Sequence, residues 1–196
     1  MKSYIKEQVK KSFETKQKIY EDVNLLEKIE DVAKMCVDLY KNSRKTLLAG
    51  NGGSAADAQH IAAELVGRYG FDRASLPSLA LTTDTSNLTA IGNDYGYDYV
   101  FSRQLEGMAQ EGDLFIGIST SGNSQNLINA FKSAKQKNVT TVALVGKDGG
   151  KMAQMADIAL VVPSDSTPRI QEAHILIGHI LCDIIEKEIF AQGVSS

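Results

Sequence analysis

Only two cysteines stand in this chain, Cys36 and Cys182, far apart and without the paired spacing that holds a metal. Both fall in apolar, helix-patterned stretches, so buried thiols are expected rather than a disulfide. Positive charge is also scarce: 21 Lys and Arg against 24 Asp and Glu leave a net charge of −3. That balance gives no basic footprint for nucleic acid or for an anionic membrane, so any phosphate must be held by local geometry. No apolar run is long enough to cross a bilayer, and Met1 to Glu7 lacks the apolar core of an export signal. A cytoplasmic protein with no membrane partner is expected. There is no Gly-Lys-Ser/Thr ending and no well-placed Gly-x-Gly-x-x-Gly, hence no nucleotide cofactor.

The 196 residues, 43% hydrophobic and 23% charged, suit one well-buried domain spanning 1–196. Residues 1–43 read as a helical extension. Leu25, Leu26, Ile29, Val32, Ala33, Cys36, Leu39 and Tyr40 recur at helical spacing, and Lys6, Lys10, Lys11, Lys16 and Lys18 mark a solvated face before them. Leu26, Ile29, Val32 and Leu39 are too many to leave in water, and a subunit contact is the expected cover. From residue 44 onward short aliphatic runs alternate with helices. Thr46–Ala49, Ser78–Leu81, Leu114–Ile118, Thr140–Val145 and Ile158–Val162 read as strands; Ala55–Arg68, Ser86–Ile91, Tyr99–Ala109, Ser124–Lys137 and about Arg169–Phe190 read as helices. The expected fold is α/β: a doubly wound, flavodoxin-like, five-stranded parallel sheet with N-terminal helices, binding its ligand beyond the carboxyl ends of the strands.

Two loops sit at such ends. Ser119-Thr120-Ser121-Gly122-Asn123-Ser124 places four hydroxyls in six residues, with Gly122 to admit a close approach and Ser124 to cap the next helix. Capping needs one such residue, so the surplus points to a bound phosphate. Gly50-Asn51-Gly52-Gly53-Ser54 is the less specific of the two, because paired glycines also serve tight turns.

His60 and Glu64 lie four apart on one helix face and can share a divalent metal or divide proton transfer. Alone, such a pair is ordinary on a helix surface. Gln171, Glu172, His174 and His179 interrupt the apolar final helix and need a buried partner or a cleft. His174 reads as a core histidine.

Taken in order, Gly50 to Ser54 through Asp57-Ala58-Gln59-His60 and Glu64, Gly92-Asn93-Asp94, Ser119 to Ser124, Gly146-Lys147-Asp148-Gly149-Gly150, and Arg169-Ile170-Gln171-Glu172 with His179 resemble the phosphoheptose isomerase family of the sugar-isomerase (SIS) superfamily. The resemblance covers nearly the whole chain. It implies conversion of sedoheptulose 7-phosphate to glycero-manno-heptose 7-phosphate, toward nucleotide-activated heptose for lipopolysaccharide or capsule, by a homotetramer with sites between subunits. It implies Glu64 as the base between C1 and C2 and His179 as its acid/base partner. It implies substrate contacts at Asn51, Gly52, Gly53, Glu64, Asn93, Asp94, Ser119, Thr120, Ser121, Ser124 and Gln171. Some members carry zinc, which would fall on His60, Glu64, Gln171 and His179, one ion per subunit. Where some relatives have Asp before Arg-Ile-Gln-Glu this chain has Pro168, and no role is carried over there.

Two other readings come from outside this enzyme class. Replication-initiator-associating proteins resemble the same fold but lack the acid/base pair and carry a disrupted serine loop, whereas Glu64, His179 and Ser121 all stand here. Sugar-phosphate-sensing regulators usually add a helix-turn-helix module, for which residues 1–43 are too few and too apolar-striped. An isomerase of a different sugar phosphate is the nearest enzymatic alternative.

Overall fold

The chain begins with two helices that lead into a strand–helix alternation. The structure, a computed structural model, describes residues 1–190; residues 191–196, the end of the expected single domain, lie outside the described residues. Helices α1 (Lys2–Glu21) and α2 (Val23–Lys41) are separated at Asp22, whose carboxylate accepts the Leu25 amide at 3.0 Å and so starts α2 afresh. Then follow β1 (Thr46–Gly50), α3 (Gly53–Val66), β2 (Ser78–Ala80), α4 (Thr85–Tyr95), α5 (Val100–Met108), β3 (Leu114–Ser119), α6 (Gln125–Gln136), β4 (Thr140–Gly146), α7 (Gly150–Met155), β5 (Ile158–Val162) and α8 (Thr167–Phe190). All five strands are parallel, in the order β2-β1-β3-β4-β5.

Alternate strand residues point into two cores. Leu48, Leu114, Ile116, Ile118, Val142 and Leu144 meet α2, α3 and α8 on one face. Leu47, Ala49, Phe115, Ala143 and Val145 meet α5, α6 and α7 on the other. With both faces covered, the strands are apolar without alternation, which is why they were visible as continuous runs. The order reverses between β1 and β3, so the loops that leave these two strands flank the crevice where ligands of doubly wound sheets bind.

Two expectations change. Ile29, Val32 and Leu39 pack on the chain's own core, each burial contributing about 1.5–3 kcal/mol, and only Leu26 of that stripe stays exposed. The apolar surface left in solvent lies instead on α1, where Tyr4, Ile5, Val9, Phe13 and Tyr20 are exposed. The helix expected over Ser86–Ile91 runs on to Tyr95 and carries Asn93 and Asp94 in its last turn, while the six-residue α7 has no counterpart among the expected helices. No helix among the described residues is long and apolar enough to cross a membrane.

His174 lies fully buried in α8, with neither ring nitrogen properly hydrogen-bonded. Burial pushes its pKa down to about 4, a Val145 backbone group pulling weakly the other way. An unfolded histidine titrates near 6.5, so between that pH and about 4 the unfolded chain binds a proton that the folded chain refuses. Stability therefore falls as the pH drops through this window, by about 3 kcal/mol in all. Urea melts at pH 7 and pH 5 should show wild type losing more stability than His174→Leu; equal losses would contradict the assignment.

Candidate active site

The β3–α6 loop is shaped by hydrogen bonds among its own residues. The Gly122 amide donates to Ser119 Oγ at 3.2 Å, and the Asn123 amide to Ser121 Oγ at 3.3 Å. Ser124 occupies the N-cap position of α6, but its hydroxyl makes no capping bond and faces Ser119 Oγ at 3.2 Å, which corrects the capping role expected of it. Among the described residues, the amides of Thr120, Ser121 and Ser124 donate to no protein acceptor. Free amides, serine hydroxyls and the start of a helix converge there, the arrangement that holds a phosphate without a lysine.

The loop is braced by the next crossover. Met152 donates its amide to the Gly122 carbonyl at 2.9 Å, and Lys151 donates to Asn123 Oδ1 at 3.1 Å. Gly122 has a φ of 64°, and a Cβ there would lie 1.9 Å from the Gly149 carbonyl oxygen. The motif Gly146 to Gly150 thus serves as the backing of the serine loop.

In the β1–α3 loop, Asn51 and Asn126 exchange side-chain amide bonds of 3.0 and 2.9 Å, and Tyr97 donates its hydroxyl to Asn51 Oδ1 at 3.1 Å. Asn51 therefore ties the two loops across the switch point. Tyr97 and Asn126 were not legible as site residues, since only the tertiary fold brings them to Asn51. Gly52 and Gly53 follow, and the Gln171 amide of α8 packs where a Gly53 side chain would be. Asn93 donates to Asp94 Oδ1 at 2.8 Å on the exposed end of α4.

A second centre lies farther along α3. His60 Nε2 faces Glu64 Oε1 at 3.1 Å and His179 Nε2 at 3.4 Å, the two rings meeting edge-on with centroids 4.9 Å apart. Three lone-pair donors that all lie within 4.8 Å of one another suit a shared proton or a divalent cation, and two imidazoles with one carboxylate are a zinc donor set. The side chain of Gln171, the fourth ligand that the resemblance implies, packs against Gly53, seven residues before His60 on α3. Asp57, one turn before His60, has a carboxylate oxygen buried without a partner, and burial raises its pKa to about 6 against a modest opposing pull from His60. The ring of Tyr69 lies 5.7 Å from that of His179.

A model of the SIS domain matches residues 11–146. The phosphoheptose isomerase of Sulfurimonas denitrificans is 80% identical over the whole of both chains. That of Aneurinibacillus thermoaerophilus is 58% identical, covering 97% of this chain and 96% of its own. Among solved structures, a phosphoheptose isomerase from Neisseria gonorrhoeae superposes with a TM-score of 0.89 at 46% identity, covering 95% of this chain and 98% of that one.

The close approach at Gly122 makes the serine loop sensitive to a single methyl group. Gly122→Ala should destabilise the fold by about 2 kcal/mol or more, since it combines a left-handed backbone with a clash against backbone. Thermal melting checks it, and a wild-type melting temperature would show that the contact between the two loops is looser than described.

Proposed function

The chain belongs to the SIS-domain family and, within it, to the phosphoheptose isomerases, and from that premise we propose how its residues divide the reaction. It is an aldose–ketose isomerase acting on sedoheptulose 7-phosphate in heptose biosynthesis. Isomerisation moves one carbon-bound proton from C1 to C2 and one oxygen-bound proton from O1 to O2 through an enediol, with no net gain or loss. Glu64 takes the C1 proton and returns it at C2; His179 carries the proton between the oxygens. Ser119, Thr120, Ser121 and Ser124 hold the 7-phosphate. Asn51, Gly52, Gly53 and Gln171 line the sugar beside that loop, and Asn93 and Asp94 reach it from the end of α4.

The observation that carries this reading is a distance. Glu64 stands eleven residues beyond Gly53 on α3, about 16 Å of helix rise. A seven-carbon sugar phosphate, built from bonds of about 1.5 Å, reaches only about 10 Å from phosphorus to C1. Gly53 leaves the same sheet edge as the serine loop, so Glu64 lies well down α3 from that edge, which favours a site shared with a second subunit. The site is completed between subunits, the phosphate loop of one facing the acid/base pair of another. The exposed Tyr4, Ile5, Val9, Phe13 and Tyr20 of α1 supply the contact, and a homotetramer is the assembly proposed.

Zinc is proposed on His60, Glu64 and His179, one ion per subunit, with Gln171 as the further ligand that the resemblance implies. When bound, such an ion would orient or polarise oxygens of the substrate. A carboxylate engaged by zinc is a weaker base, so orienting or stabilising the site suits the metal better than taking part in the proton transfer.

Subunit mixing tests the shared site. Glu64→Gln subunits lack the base, and Ser121→Ala/Ser124→Ala subunits lack phosphate donors, so each oligomer alone should turn over poorly. Hetero-oligomers of the two contain some sites with an intact loop from one chain and an intact Glu64 from the other, and should regain a measurable fraction of wild-type activity. Hetero-oligomers seen by native mass spectrometry without any gain would overturn the shared site.

A further inference from the structure

Between α3 and β2 the chain makes a tight excursion, residues 67–77, that is tied to α8 by one ion pair. Arg73 Nε donates to Glu186 Oε2 at 2.9 Å, and the two side chains are only 2% and 1% exposed. Glu186 also accepts the amides of Tyr69, Gly70 and Phe71, at 2.8, 2.5 and 3.2 Å. The other arms of the guanidinium close the end of α3: Nη1 donates to the carbonyls of Leu65, Gly67 and Ala74, and Nη2 to the carbonyl of Glu64 at 2.8 Å. Helix-end carbonyls with no partner of their own kind are satisfied by one planar cation. Phe190 lies beneath that cation, its ring centroid 5.6 Å from Arg73 Cζ.

The pair touches both members of the proposed acid/base couple at one remove. It bonds the backbone of Glu64 directly. Glu186 stands seven residues, two turns of the same helix, beyond His179, and the excursion it pins carries Tyr69, whose ring packs on that of His179. We propose that Arg73 and Glu186 are positioning residues: they lock the carboxyl end of α3 to α8 and so fix how Glu64 and His179 approach each other. Proton transfer depends steeply on such spacing, and a misplacement of about 1 Å can cost on the order of a hundredfold. The proposal rests on the roles assigned above to Glu64 and His179.

Stability and positioning separate under substitution. Arg73→Lys keeps the charge against Glu186 but loses the fork that reaches the α3 carbonyls. The double variant Arg73→Met/Glu186→Met removes both charges, but it also strands the amides of Tyr69, Gly70 and Phe71 and the carbonyls at the end of α3, and so costs stability. For each, kcat and KM are measured on sedoheptulose 7-phosphate beside melting temperature, and zinc affinity by competition with a chromophoric chelator. Arg73→Lys should lower kcat about tenfold or more, with KM within about twofold and zinc held more weakly. The double variant should melt below wild type, and at temperatures where it stays folded its kcat should also be low. A wild-type kcat from either variant while it is folded would assign the pair to stability alone and overturn the proposal, as would failure of both variants to fold. Glu64→Gln run alongside tells the two readings apart. If it retains wild-type kcat, the role of Glu64 fails; if it is inactive while Arg73→Lys keeps wild-type kcat, only the clamp fails.

Discussion

A parallel sheet sends every crossover helix back toward the edge from which its strand came, and that return separates two polar clusters of this chain, the serine loop and the His60–Glu64–His179 group. The serine loop must lie at the carboxyl edge, because it ends β3 at the switch point. α3 starts at the same edge with Gly53 and then travels away from it, carrying His60 and Glu64 toward the opposite edge. α8, entering after β5, runs beside α3 in the same direction, so Gln171 meets Gly53 near its beginning and His179 meets His60 two turns later. The separation of the serine loop from the His60–Glu64–His179 cluster follows from the fold class itself, and the shared site proposed above bridges it.

Each of these two clusters is braced by something far away in the chain. The serine loop is braced by the crossover after β4, through Gly149, Lys151 and Met152, and linked to the β1–α3 loop by Asn51 and Asn126. The end of α3 that carries Glu64 is tied to α8 by Arg73 and Glu186. Glu186 is buried, which alone would raise its pKa, but three amides and Arg73 more than offset this and hold it below the usual carboxylate range. It therefore stays ionised and keeps accepting at neutral pH.

What the sequence made legible was local. The five strands and both glycine- and serine-rich loops stand where their residues indicated, because a strand covered on both faces is a continuous apolar run and an anion cradle needs glycine and hydroxyls side by side. What was not legible was the packing of one element on another. α1 and α2 are both amphipathic, and nothing in either says that α2 takes the place on the core while α1 leaves Phe13 and Tyr20 in solvent. The stagger of α8 against α3, which puts Gln171 at Gly53, is likewise tertiary. Arg73 and Glu186 are 113 positions apart, and a lone charged residue in a loop and another late in a helix carry no mutual signal. α7 is a single short stretch begun by two glycines at positive φ, too brief for periodicity to reveal.

The account turns on Glu64 as the group that moves the carbon-bound proton. In deuterated water, wild-type enzyme turning over sedoheptulose 7-phosphate should exchange hydrogen at C1, visible by proton NMR as the loss of that signal. Glu64→Gln keeps the size and most of the hydrogen-bonding capacity of the side chain but has no basic oxygen, so exchange should fall by on the order of a hundredfold or more. Exchange by Glu64→Gln at the wild-type rate would contradict the account.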